Sequence, residues 1–250
     1  LNLSFFYLFF LFKGEVEIRL LTSDYVEAAL EVMDSSFYPF ESVCIGTEIN
    51  LELPDSLQAR KELNELCRIT NRDGISLVAF HLPSNRVIGV AFNKIQPEPT
   101  EKPFFVDYKN YHCTSPNAKA LMEYMITMDE KIDPFELFKI DCLLEHTFLG
   151  VNTEFRGKKL GHTLTKHSIE LARNLFNGID TELLSDELKG KRPKAVAALF
   201  TSKISQKIGD ALGFQVLNEV PYTEFMFKGK TFADRIGPQH PTGKQVIIKF

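Results

Sequence analysis

The chain has 250 residues, 44% of them hydrophobic and 25% charged, with 14 Gly and 12 Pro; that balance excludes a disordered, collagen-like or multi-span membrane protein and is ample for a buried core. A formal charge of −4 supplies no global field toward phosphate backbones or anionic lipid, so neither nucleic acid nor stable membrane association is expected. The four cysteines, Cys44, Cys67, Cys113 and Cys142, stand far apart with no C-x-x-C pair. This argues against a zinc knuckle or a disulfide scaffold and fits a reducing, cytoplasmic setting.

The chain opens on LNLSFFYLFFLF, which stops at Lys13. That run falls short of the roughly 18 to 20 apolar residues a membrane span needs, and it lacks the basic start and small-residue cleavage site of a secretory signal. With Leu rather than Met in first place, a truncated or misplaced start is expected. Residues 1–14 are therefore expected to be a leader outside the fold, and residues 15–250 a single domain.

Beyond the leader, strand-like and helix-like stretches alternate. Val16 to Leu20 predicts a strand, followed by an amphipathic helix with Asp24 and Glu27 as a variant capping box and Val26, Ala29, Leu30 and Met33 on its apolar face. A second helix is expected after Pro54, capped by Asp55, with Leu57, Leu63, Leu66 and Ile69 on one stripe and Gly74 at its end. Ile75 to His81 and Val87 to Lys94 flank Pro83-Ser84-Asn85-Arg86 and predict an antiparallel hairpin. Gln96 to Ser115 reads as irregular, and Pro116 opens a helix to about Lys131. Leu143 to Asn152 predicts a strand, RGKKLG (Arg156 to Gly161) a turn, and the stretch beyond it a long helix on Leu160, Leu164, Ile169, Leu171 and Leu175. Asn177 to Lys194 reads as a polar loop with a short helix at Thr181 to Leu188. Ala195 to Phe200 is a strand, Ser202 to Leu212 a helix with Gly213 as its left-handed cap, Phe214 to Val220 a strand, and Val246 to Phe250 the last strand.

The strand, basic glycine turn and helix around Arg156 matter most. A turn of small residues entering a helix aims backbone N–H groups one way, and the helix N-terminus adds partial positive charge. Arg156, Lys158 and Lys159 add mobile charge around that nest. The turn is neither a Walker loop nor a dinucleotide G-x-G-x-x-G. On the residues alone, phosphate binding and an ordinary solvated turn both stand.

FLGVNTEFRGKKLGHTLTKHSIELAR resembles the acetyl-CoA-binding motif of the GNAT acetyltransferase superfamily, [QR]-x-x-G-x-[GA], with Arg156 in its first position, Gly161 in its last, and Lys159 where the middle Gly is expected. The chain resembles most the insect-type arylalkylamine N-acetyltransferases. SFYPFES resembles that branch's aromatic stretch, with Glu41 on the acidic position, Phe40 replacing an acid and Ser42 replacing the usual Pro. FNKIQPEP, TSKISQKIGDALGF and HPTGKQVIIKF follow in the same order, so the similarity runs from about Glu17 to Phe250.

The resemblance implies an α/β GNAT fold with a mixed central sheet flanked by helices. It also implies direct acetyl transfer from acetyl-CoA to the primary amine of a small arylalkylamine such as dopamine, tyramine or a serotonin-like molecule. Glu41 would be the general base. Leu149, Gly150 and Val151 would supply the backbone that holds the cofactor, and Arg156, Gly157, Lys158, Lys159, Leu160 and Gly161, with His162, would bind its pyrophosphate. Thr201 and Ser205 fall on the hydroxyl positions implicated in thiolate departure, with Ser202 beside them; Thr201 and Ser202 read equally well as helix caps. Gly209 stands near the place where many relatives use Tyr. The alternatives are a GNAT enzyme for polyamines, other small amines or a protein N-terminus, and a catalytically silent acyl-CoA-binding relative.

The remaining candidates read as structural. His146 is expected on a strand and His167 on an exposed helix position; with His162 they show no metal-ligand spacing, and no metal is expected. KGKRPK (Lys189 to Lys194) reads as a solvated loop and Cys67 and Cys142 as core. Phe104, Phe105, Tyr108 and Tyr111 read equally as an aromatic amine wall or as core.

Overall fold

The structure, a computed structural model, describes residues 10, 11, 14–98 and 103–250. The expected hairpin is its starting unit. β1 (Phe10–Leu11), β2 (Val16–Leu20), β3 (Leu77–His81) and β4 (Arg86–Pro97) form an antiparallel meander, with Leu77 opposite Ala91 and His81 opposite Arg86. Of the expected leader, Phe10 and Leu11 pair with Glu17 and Val16 at the sheet edge; residues 1–9, 12 and 13 lie outside the described residues.

β4 then pairs antiparallel with β5 (Cys142–Val151), and β5 pairs in parallel with β6 (Ala195–Phe200). β7 (Gln215–Pro221) is the far edge, β8 (Met226–Phe227) and β9 (Lys230–Thr231) form a separate ribbon, and β10 (Thr242–Lys249) slots between β6 and β7. This last strand begins four residues before the expected Val246, because Thr242 and Gly243 pair with β7, Lys244 to Ile247 with both neighbours, and Ile248 and Lys249 with β6. A parallel pair cannot be joined by a tight turn. The crossover from β5 to β6 is the long helix predicted after the basic turn.

β5 and β6 pair only from Leu144 to His146 against Val196 to Ala198, although β5 continues to Val151. Past His146 its outer edge has no strand partner among the described residues. A register shift between Phe92 and Asn93 skips Thr147 on β5 at the same level, and such bulges bend a strand away from its neighbour.

One face of the sheet carries α1 (Val26–Val32), α2 (Ser42–Gly46), α3 (Pro54–Asn71), α4 (Phe104–His112), α5 (Pro116–Lys131) and α6 (Pro134–Phe138). The other carries α7 (Leu160–Phe176) and α8 (Lys203–Leu212), and α9 (Phe232–Ile236) packs on α2. Phe92, Phe148 and Val90 face the first core, and Leu144, Leu164 and Val196 face the second.

Several helix starts differ from expectation. No capping box forms on Asp24: a 3₁₀ turn over Ser23–Tyr25 leads into α1, and Glu27 pairs instead with Arg68 of α3. Tertiary pairing overrides the local cap. Leu53, not Asp55, sits at the N-cap of α3; Asp55 complements the helix dipole from the first turn, and Leu57 is exposed. The segment expected to be irregular contains α4, and α6 forms beyond Asp133, whose carboxylate accepts from Phe135 N and Glu136 N. Two 3₁₀ turns, Thr181–Leu183 and Asp186–Leu188, replace the expected short helix. His167 is buried rather than exposed, facing Glu170 one turn on. Gly213 ends α8 in the left-handed region at φ 82°, as expected. All four cysteines are buried and free. Among the described residues no helix is long and apolar enough to cross a membrane.

Candidate active site

The basic turn leaves β5 through a 3₁₀ turn, Thr153–Phe155, capped by Asn152, whose Oδ1 accepts from Glu154 N at 3.0 Å. Gly157 takes φ 77° and Lys159 φ 60°. Lys159 is the N-cap of α7 and keeps the left-handed backbone that a glycine would adopt, at a cost of roughly 1 kcal/mol. No side chain caps α7, so its first N–H groups keep their capacity for an anion. A Cβ at Gly157 would meet nothing within 4 Å, which leaves that backbone open to close approach. These features fit a bound pyrophosphate.

The other turn residues divide by role. Lys158 lies over the Phe155 ring at 4.8 Å, and His162 is half-buried on the first turn of α7. Leu160 is core and offers only backbone to a ligand. Gly161 serves packing: a Cβ there would come within 3.3 Å of Ile208 and 3.5 Å of Leu149. Arg156 reaches sideways, donating from Nη2 to Ser36 O at 2.7 Å and stacking over Phe40 at 4.6 Å.

That sideways reach brings in the Glu41 segment. After α1 the chain makes a π-helical turn, Met33–Phe37, a widening that is frequent at functional sites. Met33 Sδ would lie 3.3 Å from a Cβ at Gly150, and Phe37 meets Phe148 edge-on at 5.6 Å, so this turn lies across the free end of β5. A side chain at 150 would require Met33 to give way by a few tenths of an ångström. Glu41 is then the N-cap of α2: Oε1 accepts from Val43 N at 3.0 Å and Oε2 from Cys44 N at 2.7 Å. Two of a carboxylate's roughly four lone-pair sites are used, and the others remain for a proton. The aromatic stretch before Glu41 divides: Tyr38 is core, its hydroxyl donating to Asn64 Oδ1, while Phe40 is 52% exposed under Arg156.

Two tyrosines without a motif complete the cluster. Tyr222 donates its hydroxyl to Thr201 O at 2.6 Å, and burial, Tyr124 and the Glu41 charge hold its proton on well above the ordinary range. Tyr124, on α5, is pushed the same way by burial, Glu41 and Asp129. A Cβ at Gly243 would overlap the Tyr124 hydroxyl and lie 3.5 Å from that of Tyr222, so both phenols converge on one point of β10. The buried Ser42 Oγ and Tyr124 hydroxyl have no hydrogen-bond partner among the described residues. Isolated tyrosines between apolar residues carry no pattern, and only the shared influence of Glu41 marks them.

The second motif reads differently in three dimensions. Ser202 caps α8 through a reciprocal box: Ser205 N donates to Ser202 Oγ and Ser202 N donates to Ser205 Oγ, both at 3.1 Å. Ser205, expected to act on the thiolate, therefore has its hydroxyl engaged in the cap, and Thr201 is not the capping residue. The site of the missing Tyr is filled: a Cβ at Gly209 would overlap the Phe200 ring, which packs edge-on to Phe214 at 5.2 Å. Gly209→Ala is expected to lower stability by about 1–3 kcal/mol through overpacking, read as a lower thermal midpoint that Phe200→Leu partly restores. An unchanged midpoint would mean the ring yields freely.

Behind β5 lies a buried polar network. Asn93 Nδ2 donates to Ile75 O and Ser168 Oγ, so its Oδ1 accepts from His146 Nδ1 at 2.8 Å. The Thr165 hydroxyl lies 3.2 Å from His146 Nε2 and 2.9 Å from Gly161 O, two acceptors that share its one proton. Burial lowers the His146 pKa to about 4. Of the four aromatic residues read as an amine wall or core, Tyr108 is core and donates to Glu62 O, Tyr111 is exposed, and Phe104 and Phe105 line a cavity.

No protein-family model matches the sequence, and no curated protein matches it in sequence. Solved structures do match. The arylalkylamine N-acetyltransferase 2 of Aedes aegypti superposes with a TM-score of 0.73 at 22% identity, covering 94% of this chain and 98% of that one. A mosquito arylalkylamine N-acetyltransferase like 5b matches at TM-score 0.74 and 17% identity, over 94% and 100%. A Drosophila melanogaster polyamine N-acetyltransferase that forms N-acetylagmatine matches at 0.70 and 16%, over 94% and 100%. The mixed sheet, its parting strands and these superpositions together show that the chain has the GNAT fold of the insect arylalkylamine N-acetyltransferases.

Proposed function

We propose that residues 15–250 form one transferase unit that moves an acetyl group from acetyl-CoA directly to the primary amine of a small acceptor. The observation that carries this reading is the parting of β5 and β6 just before a basic, left-handed turn into α7, with the Glu41 segment laid across the same strand end. Bound there, acetyl-CoA supplies an activated acyl thioester. Arg156, Gly157, Lys158, Lys159 and His162, with the α7 N-terminus, hold its pyrophosphate, Leu160 and Gly161 contributing backbone and packing. The open edge of Leu149, Gly150 and Val151 aligns its extended arm and offers an N–H to the carbonyl oxygen as charge develops.

An alkylammonium has a pKa of roughly 10 and is not nucleophilic at neutral pH. Glu41 takes the ammonium proton; the amine nitrogen then bonds to the acetyl carbon, the C–S bond breaks, and the further proton the nitrogen sheds neutralises the departing thiolate. Thr201 is the remaining hydroxyl candidate to meet that thiolate, since the Ser205 hydroxyl is held in the cap.

For the acceptor, Phe104 and Phe105 in the cavity wall support an arylalkylamine such as dopamine, tyramine or a serotonin-like amine. The acidic lining of the same cavity favours a second reading, a polyamine or guanidinoalkylamine. Acceptor profiling with purified protein and acetyl-CoA tests both; no turnover of any arylalkylamine above background would overturn the first. Arg156→Ala is expected to raise KM for acetyl-CoA about tenfold, the scale of one charge-assisted hydrogen bond. An effect confined to the amine KM would reassign Arg156 to holding Ser36 and Phe40 alone.

A further inference from the structure

The pairing of β6 with β10 ends at Phe200 with Lys244, so Thr201 lies just beyond the ladder. It is also three residues past Ala198, the last β6 residue paired with β5. At about 3.3 Å per residue, Thr201 stands roughly 10 Å along the gap between the parting strands. That places it on the β6 wall, across from the open edge of Leu149 to Val151.

A carbonyl that leaves a ladder needs another donor. Two side chains supply donors here. The Tyr222 hydroxyl, from the 3₁₀ turn that follows β7, donates to Thr201 O at 2.6 Å. Gln206 of α8 donates from Nε2 to Phe200 O at 3.3 Å and to Thr242 O at 2.9 Å, which ties the end of β6 to the start of β10. Tyr222 is fully buried, and a Cβ at Gly243, the β10 residue next to the last pair, would lie 3.5 Å from its hydroxyl. The phenol therefore stands where the next β6–β10 contact would fall. Burial holds its proton on, so it stays a donor throughout the pH range in which an amine is acetylated.

These bonds fix the turn and leave one hydroxyl uncommitted. Ser202 and Ser205 are engaged with each other in the cap of α8, and Lys203 N donates to His240 Nδ1 at 3.2 Å. Thr201 Oγ1 makes no hydrogen bond among the described residues. Four successive residues, Phe200 to Lys203, are thus anchored around it.

Resting on the acetyl-transfer reading, we infer that Tyr222, with Gln206 beside it, is a positioning residue that holds Thr201 Oγ1 where the departing thiolate forms. Neither side chain touches the reacting atoms. Negative charge develops on sulfur only as the C–S bond breaks, so a hydroxyl aimed there acts in the transition state. Its misplacement slows transfer without weakening the binding of either substrate.

The test is the single-turnover rate of acetyl transfer at saturating acetyl-CoA, with dopamine and 1,4-diaminobutane as acceptors and the faster of the two retained. Tyr222→Phe keeps the ring and removes only the donor. It is expected to lower that rate about tenfold, the scale of one lost hydrogen bond, with the Kd for acetyl-CoA and the KM for the amine little changed. The effect must pass through Thr201. Tyr222→Phe is expected to cost the same factor in Thr201→Ser, which keeps a hydroxyl, and nothing further in Thr201→Val, which has none. An unchanged rate, an equal loss in Thr201→Val, or an effect confined to substrate affinity overturns the inference. If Tyr222→Phe fails to fold by circular dichroism, Gln206→Met is expected to show the same pattern and takes its place. Wild type that acetylates no amine tested overturns the transfer reading and this inference with it; transfer indifferent to Tyr222→Phe overturns this inference alone.

Discussion

Glu41→Gln is expected to lower kcat/KM for the amine by about 10²-fold or more, the usual scale for a general base, while leaving the fold almost intact. The two roles of this carboxylate separate by substitution. As N-cap of α2 it accepts from Val43 N and Cys44 N; Gln retains an oxygen for one of these bonds, whereas Ala leaves both donors without it and costs about 1 kcal/mol of stability. Activity should therefore fall alike in Glu41→Gln and Glu41→Ala, and the thermal midpoint should fall mainly in Glu41→Ala. If Glu41→Gln keeps most of the wild-type kcat/KM, Glu41 is a helix cap and nothing more.

The second large effect is on stability in acid. His146 titrates at about 4 in the fold and near 6.5 in an unfolded chain. Between those values the unfolded state binds a proton that the folded state refuses, so stability falls as pH falls through that window, with a slope approaching about 1.4 kcal/mol per pH unit. Glu145, raised to about 7, has the opposite sign: its contribution is present below the unfolded value and fades as pH rises toward about 7. The measurement must therefore be a difference. Denaturant melts of wild type and His146→Gln between pH 4 and 7 are expected to diverge, the variant losing less stability toward acid. Parallel curves would show that His146 does not carry the dependence. The consequence reaches the site, because His146 bonds Asn93 on β4 and Thr165 on α7, and Thr165 in turn holds Gly161 at the end of the basic turn.

Much of the scaffold was legible locally. Strands such as β3 and helices such as α5 declare themselves because their periodicity and end residues act within a few positions: Pro116 inside the first turn, Ser115 accepting from Asn117 N, Gly213 at φ 82°. The basic turn was legible for the same reason, since Gly157 and the adjoining charges are contiguous. At its one departure, Lys159, the lysine adopts the glycine's left-handed backbone at a small energetic cost. What failed was decided at a distance. Asp24 and Glu27 satisfy a local capping pattern, yet Arg68, 41 residues on, takes Glu27. His167 has the look of an exposed helix residue and is buried under its neighbours.

The candidate site divides along the same line. The sequence by itself determined the alternation of strand and helix, the basic glycine turn at Arg156 to Gly161 and the acidic residue at 41, because each depends on neighbours in the chain. Tertiary structure alone decided that β5 and β6 separate after His146 and that the π-helical turn lies over Gly150. It also decided that Phe200 fills the space over Gly209, and that the Tyr124 and Tyr222 hydroxyls converge on Gly243 of β10. These are matters of register, burial and through-space charge between residues far apart in sequence, and no local pattern encodes them.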